Sequence, residues 1–192
     1  MRRAVGLAAL IMLSAVLAPS AWAQNPKDTI TGTPPFSLGM TASDALAAAP
    51  GLAPITTTAC GTPAPGPTYG TRVTAPLAGY PYTASVILCF VGSQLGAIYL
   101  TWPAGTFQED NIRWQLATRG LAGQLAAAYA PGLVKRYAVN EDMGGVVEMG
   151  DGQGNLLTMA SNPGDDPDIR VSYVSAAYDQ AMNGKRITLT TY

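Results

Sequence analysis

Tyr82–Trp102, YTASVILCFVGSQLGAIYLTW, is the stretch whose reading decides the fold. Two runs rich in β-branched, aromatic and aliphatic residues flank Gly92-Ser93, a two-residue turn of the glycine-first kind whose twist matches paired strands. A hairpin built this way predicts Phe90 opposite Leu95, Leu88 opposite Ala97 and Val86 opposite Tyr99 on one apolar, core-facing side. Strand side chains alternate, so a slip of one residue exchanges the two faces. In this register the other side carries Thr83, Ser85, Ile87, Ile98, Leu100 and Trp102, more apolar than a solvated sheet face. Either another part of the chain covers that side or a partner does. In the second case Ile87, Ile98, Leu100 and Trp102 are the candidate binding residues, with Trp102 as the anchor.

Downstream of the hairpin, Thr106-Phe-Gln-Glu109 has the spacing of a capping box and predicts a helix start. Trp114, Ala117, Leu121, Leu125 and Ala128 then recur on one helical face, and Pro131-Gly132 ends the helix. Gly120 and Gly123 each weaken it by about 1 kcal/mol relative to alanine. Ile112 and Leu116 point away from the stripe, either under a loop or as a small partner-facing patch. Upstream, Thr41 with Asp44 caps a short alanine-rich helix through Ala49, stopped by Pro50-Gly51. Leu52 to Cys60 reads as extended, Gly61 to Pro67 as a loop, and Thr68 to Pro76 as a weak strand. Val146-Val147 and Leu156–Met159 make a second hairpin around the glycines near Asp151. Asp168 to Tyr178 reads as a strand with Ile169, Val171 and Tyr173 on one face. Asp179 to Lys185 is a turn or short helix, and Ile187, Leu189 and Thr191 make a terminal edge strand or a loose tail.

These elements predict an α+β fold, an antiparallel sheet with helices on one face. One domain spans 36–192. Ala47-Ala-Ala-Pro-Gly-Leu52 and Ala128-Tyr-Ala-Pro-Gly-Leu133 end the two helices alike, and each is followed by a loop and a hairpin. The order suggests a tandem repeat of helix-plus-strands units, with halves 36–103 and 104–178, against the alternative of a chance match.

Gly39-Met40-Thr41-x-x-Asp44-Ala45-Leu46 resembles the opening of small exported bacterial α/β modules of the SmpA/OmlA type. The tandem helix-plus-hairpin order resembles β-lactamase inhibitory proteins. Both resemblances imply a binding or scaffold protein and not an enzyme. The chain departs from the lipoprotein pattern of the SmpA/OmlA group, having no cysteine at its cleavage site, and no inhibitor interface residue carries over.

At the N-terminus, Arg2-Arg3, the apolar run Val5 to Leu17 and Ala21-Trp22-Ala23 form the three parts of a signal peptide, 1–23. Residues 24–35 are polar and turn-rich, a flexible lead-in. Cleavage after Ala23, which removes Arg2 and Arg3, leaves 169 residues with nine basic and twelve acidic side chains, a net charge of −3. That balance gives no electrostatic basis for a nucleic-acid partner. No second apolar stretch approaches membrane length, so the mature form is expected to have no transmembrane segment. The expected location is periplasmic or secreted, in a bacterium, with a protein or envelope component as partner. Cys60 and Cys89, the two cysteines of the chain, read most simply as a disulfide in an oxidising compartment, against two free thiols.

The chain contains no histidine, which excludes Ser-His-Asp, Cys-His and histidine-ligated zinc sites. No P-loop, G-x-S-x-G or dinucleotide fingerprint occurs, and no cofactor is implied. Glu141-Asp142, Glu148 and Asp151 lie close along the chain and support the alternative function, a small hydrolase using carboxylates. Asp165-Asp166-Pro167-Asp168 reads as a solvated turn or a set of oxygen ligands for calcium, without the distal glutamate of an EF-hand. Tyr69, Tyr80, Tyr82 and Tyr99 gather near the first hairpin, as tyrosines do both in sheets and at recognition surfaces. The favoured function is a non-catalytic binding, inhibitor or scaffold module of the bacterial envelope.

Overall fold

The Tyr82–Trp102 stretch does form a hairpin: β5 (Tyr80–Val91) and β6 (Gln94–Trp102) join through Gly92-Ser93, and Gly92 takes a φ of +58° that favours glycine. A computed structural model describes residues 27–77, 80–107, 111–140, 144–163 and 167–182; the expected signal peptide lies outside them. Before the hairpin come β1 (Gly32–Thr33), β2 (Phe36–Ser37), α1 (Ala42–Ala48), β3 (Ala53–Pro54) and β4 (Thr68–Leu77). After it come α2 (Asn111–Ala128), β7 (Val134–Asn140), β8 (Gly144–Gly150), β9 (Leu156–Asn162), β10 (Asp168–Val174) and α3 (Ala176–Met182).

Among the described residues, β1 and β2 form a small ribbon. The other strands make one antiparallel sheet in the order β3-β4-β5-β6-β10-β9-β8-β7. The class is α+β, as expected. The run Thr68–Pro76 is a strand, the second hairpin is β8–β9, and Ile169, Val171 and Tyr173 are buried together on β10. Asp168 to Tyr178 is not all strand, because Ser175 caps α3: its Oγ accepts from the Tyr178 N–H at 3.2 Å. Of Leu52–Cys60, only Ala53–Pro54 pairs.

The hairpin register differs from the expectation after its first pair. Phe90 faces Leu95, but Cys89 faces Ala97, so Gly96 is an extra residue on β6. This is a β-bulge, and it moves every later pair by one. Leu88 faces Ile98 and Val86 faces Leu100. The exchange follows from apolar content: it turns Ile98, Leu100 and Trp102 inward and Ala97, Tyr99 and Thr101 outward. Each of the large side chains contributes about 1.5–3 kcal/mol on burial, far more than alanine or threonine. Gly96 also makes room. A Cβ there would stand 2.8 Å from the Tyr178 ring, and its carbonyl accepts from the Ser175 N–H at 2.8 Å. The bulge therefore seats α3.

The main core lies between the sheet and α2. Trp114, Ala117, Leu121, Leu125 and Ala128 are all buried, as their spacing requires, and the Trp114 indole donates to the Asp168 carbonyl at 3.1 Å. A 3-10 turn occupies Ala104–Thr106 and α2 is described from Asn111, while Gln108 and Glu109 of the expected capping box lie outside the described residues. At α1 the expected cap forms: the Asp44 N–H donates to the Thr41 Oγ at 3.2 Å, and that hydroxyl donates to Asp44 Oδ2 at 2.7 Å.

Residues 27–35, part of the expected flexible lead-in, are tied to the core through Ile30 and the end of α2, although most of their side chains are exposed or half-buried. Ile30 is 1% exposed, and Lys27 exchanges backbone hydrogen bonds with Ala128 and Ala130 at the end of α2. The physical reason is the pair Ile30 and Phe36, two large apolar side chains that cover the sheet where α2 ends. While α1 and α2 join this core, α3 lies on the other face. There Tyr178 and Met182 pack with Cys60, Cys89, Ala97 and Val174 in a second, smaller cluster. Cys60 and Cys89 form the expected disulfide, with Cα atoms 5.5 Å apart.

Candidate functional site

The four residues proposed from sequence as one binding face are divided by the bulge. Ile98, Leu100 and Trp102 are 0%, 6% and 3% exposed and belong to the main core. Ile87 alone points to the outer face, where it packs beside the disulfide cluster. The correction has the same cause as the register: with one extra residue at Gly96, the even-numbered residues of β6 face α2.

The outer face of the sheet can be read strand by strand from the pairings. One row runs Thr68, Cys89, Ala97, Val174, Leu156 and Gly150, and α3 and the disulfide loop cover its first half. The next runs Gly70, Ile87, Tyr99, Ser172, Thr158, Glu148 and Arg136. The third runs Arg72, Ser85, Thr101, Arg170, Ala160, Val146 and Ala138. Beyond the α3 end this is a broad surface of hydroxyls, with Tyr99 near its centre and arginines at 72, 136 and 170. No described helix crosses it. It differs from the face expected from sequence because its character is polar and aromatic, not aliphatic.

Tyr178, under α3, meets Tyr99 at the edge of the second row; burial first, and the neighbouring Tyr99 second, push the Tyr178 hydroxyl well above the ordinary tyrosine range. Of the other tyrosines noted in the sequence, Tyr69 packs edge-on against Phe90 with centroids 5.6 Å apart. Tyr82 packs against Phe107 at 5.5 Å. Both serve the core side. The side chain of Tyr80 lies outside the described residues.

The carboxylates do not converge. Glu148 stands on the outer face, opposite Thr158 and Arg136. Asp151 instead organises the β8–β9 turn. Its Oδ1 accepts from the N–H groups of Gln153 at 2.9 Å and Asn155 at 2.8 Å, and its Oδ2 from Ile30 N–H at 2.8 Å and Asn155 Nδ2 at 3.0 Å. Burial alone raises its pKa, but these donors outweigh it and hold the carboxyl below the usual aspartate value. Asn155 Oδ1 accepts in turn from the Ala176 N–H at 3.2 Å, so one turn ties the N-terminal segment to α3. This junction was missed in the sequence, where Asp-Gly-Gln-Gly-Asn gives only a turn signal. Glu141, Asp142, Asp165 and Asp166 lie outside the described residues. Asp168 is engaged: Arg170 Nε donates to its Oδ2 at 2.6 Å and Asn162 Nδ2 to its Oδ1 at 3.0 Å. Among the described residues no group of His, Cys, Asp and Glu side chains is placed to hold a metal ion.

Ile112 and Leu116 are 68% and 51% exposed on the outer side of α2, so no described loop covers them. A groove of about 630 Å³ runs beside the disulfide, walled by Thr56–Thr58, Gly61–Ala64 and Thr68. No described helix is long and apolar enough to cross a membrane. No protein-family model, characterised protein or solved structure matches the chain.

Proposed function

We propose that the chain is an exported, non-catalytic binding module of the bacterial envelope, of inhibitor or scaffold type, and that its contact surface is the outer face of the sheet. The observation that carries this reading is the breadth of that face beyond α3: two rows of paired positions across β4 to β7, with hydroxyls, Tyr99 and arginines where a core would need aliphatics. Tyrosine and arginine are the residue types that dominate contact energies at interfaces. A disulfide supports an oxidising compartment, as the leader-like N-terminus does.

The same reading takes the two halves as copies of one unit. In each, a helix precedes four strands, and the last strands, β6 and β10, pair at the middle of the sheet. Turning the sheet by half a revolution about the Leu100–Val171 pair lays Ile98-Tyr-Leu-Thr-Trp102 on Ile169-Arg-Val-Ser-Tyr173. The inward residues then match in kind (Ile with Ile, Leu with Val, Trp with Tyr), as do the outward Thr101 and Ser172. This supports the tandem repeat and the resemblance to β-lactamase inhibitory proteins.

The test is capture of envelope proteins on the immobilised mature chain, compared with two surface variants. Thr158→Arg, in the middle of the outer face, should abolish capture without changing the unfolding midpoint, and Leu116→Glu on α2 should leave capture intact. Capture lost with Leu116→Glu and kept with Thr158→Arg would reject this face as the site.

A further inference from the structure

We infer that β7 is an open sheet edge that accepts, by strand addition, an extended partner segment whose residues alternate between acidic and apolar. The sheet ends in β3 on one side and in β7 on the other. The two edges are counterparts in the proposed repeat, since Gly51-Leu52-Ala53-Pro54 matches Gly132-Leu133-Val134-Lys135 in position. At the first edge the strand is only Ala53–Pro54, and its proline brings no N–H. The chain then turns to Cys60, which the disulfide ties to Cys89 of β5. At the second edge Lys135 stands in the proline's place, and the strand runs for seven residues, Val134–Asn140. Among the described residues β7 pairs only with β8, and Lys135 to Ala138 are exposed. Every second residue of such an edge turns its N–H and C=O away from the sheet, a row that another extended backbone satisfies.

The side chains of β7 decide the chemistry of the occupant. Tyr137 and Val139 stand on the α2 side of the sheet, paired with Val147 and Gly145, and Tyr137 is 50% exposed there. An apolar residue of an added strand, placed beside Tyr137, extends the core row of Val147, Met159 and Val171 by one strand. Arg136 stands on the opposite side, across from Glu148, and Lys135 is the extra residue of the bulge next to it. Both charged side chains of β7 are basic, so acidic residues at the alternate positions of the added strand complement them. A second copy pairing through β7 would instead bring a further Lys135 and Arg136 to the same edge. This edge is separate from the outer-face reading, and either can fail without the other.

The probe is a synthetic peptide, fluorescein-Val-Glu-Val-Glu-Val-Glu-amide, titrated with the full exported chain and followed by fluorescence anisotropy. Saturable binding is expected. It should weaken at least about tenfold when every peptide nitrogen is methylated, which keeps the side chains and removes the pairing donors. Lysine in place of glutamate should weaken it by about as much. Arg136→Glu should reverse the preference between the glutamate and lysine peptides, and Lys135→Glu keeps the test decisive if Arg136→Glu fails to fold. Thr101→Asp, on the outer face, should leave peptide binding unchanged. No saturable binding, equal binding of the methylated peptide, or an unchanged charge preference in the variants would overturn the inference. So would a concentration-dependent dimer in sedimentation that Arg136→Glu disperses, since a second copy would then hold the edge.

Discussion

Replacing both cysteines by alanine should cost this protein a large part of its stability. The disulfide closes a loop with a sequence separation of 29, for which the chain-entropy relation gives about 12 cal/mol/K, or about 3.6 kcal/mol at 25 °C. Alanine avoids leaving a buried hydroxyl without a partner where Cys60 and Cys89 are both 0% exposed. The bridge also fixes Gly61 beneath Met182, so its removal loosens the seat of α3 together with the loop. Urea unfolding of the oxidised wild type and the double variant, followed by circular dichroism, measures the difference by linear extrapolation. A loss of about 3–4 kcal/mol is expected, equivalent to a fall of about 7–14 °C in Tm for a chain of this length. A loss below about 1 kcal/mol with an unchanged denaturant slope would refute the reasoning, showing that the loop is constrained equally well without the bridge.

Two glycines give opposite expectations. Gly96→Val drives a side chain into the Tyr178 ring and should cost about 1–3 kcal/mol while shifting the Tyr178 resonances. Gly123→Ala, on α2 with nothing within 4 Å of the new methyl, should stabilise by up to about 1 kcal/mol in the same unfolding assay. Asp151 has a folded pKa below its unfolded value, so its contribution is complete above about pH 4 and is lost as pH falls through the folded value. Asp151→Ala should therefore lower Tm at pH 7 and flatten the acid limb of the Tm profile below about pH 4; an acid limb identical to wild type would show that the turn carries no such linkage.

The legibility of the fold in the sequence follows from which signals are local. The Thr41 cap, the α2 stripe and the Gly92 turn depend on residues within a few positions of one another, and the structure has them where the sequence put them. The Gly96 bulge depends on Tyr178, eighty-two positions away, and so could not be read from the turn. A signal did exist: from Ile98 to Trp102 the larger apolar side chains occupy the even positions, against the register that the turn alone implies. β7 was missed for a related reason, since Lys135 and Arg136 stand at a register shift and break the alternation of an exposed edge strand. The lead-in, 24–35, was misread because Ile30 sits among turn residues, and its placement depends on the distant Asp151 and on α2. For the candidate site, one register error moved three of four proposed residues from surface to core.

Two adjacent substitutions on β6 test the central claim most directly. Leu100 is 6% exposed in the main core, and Thr101 follows it on the outer face. Leu100→Asp buries an unpaired carboxylate and is expected to cost at least about 4 kcal/mol, leaving little folded protein. Thr101→Asp should stay within about 1 kcal/mol of wild type and lose capture of the envelope partner. A stable Leu100→Asp protein beside an unfolded Thr101→Asp protein would contradict the register, and undiminished capture by a folded Thr101→Asp protein would contradict the binding face.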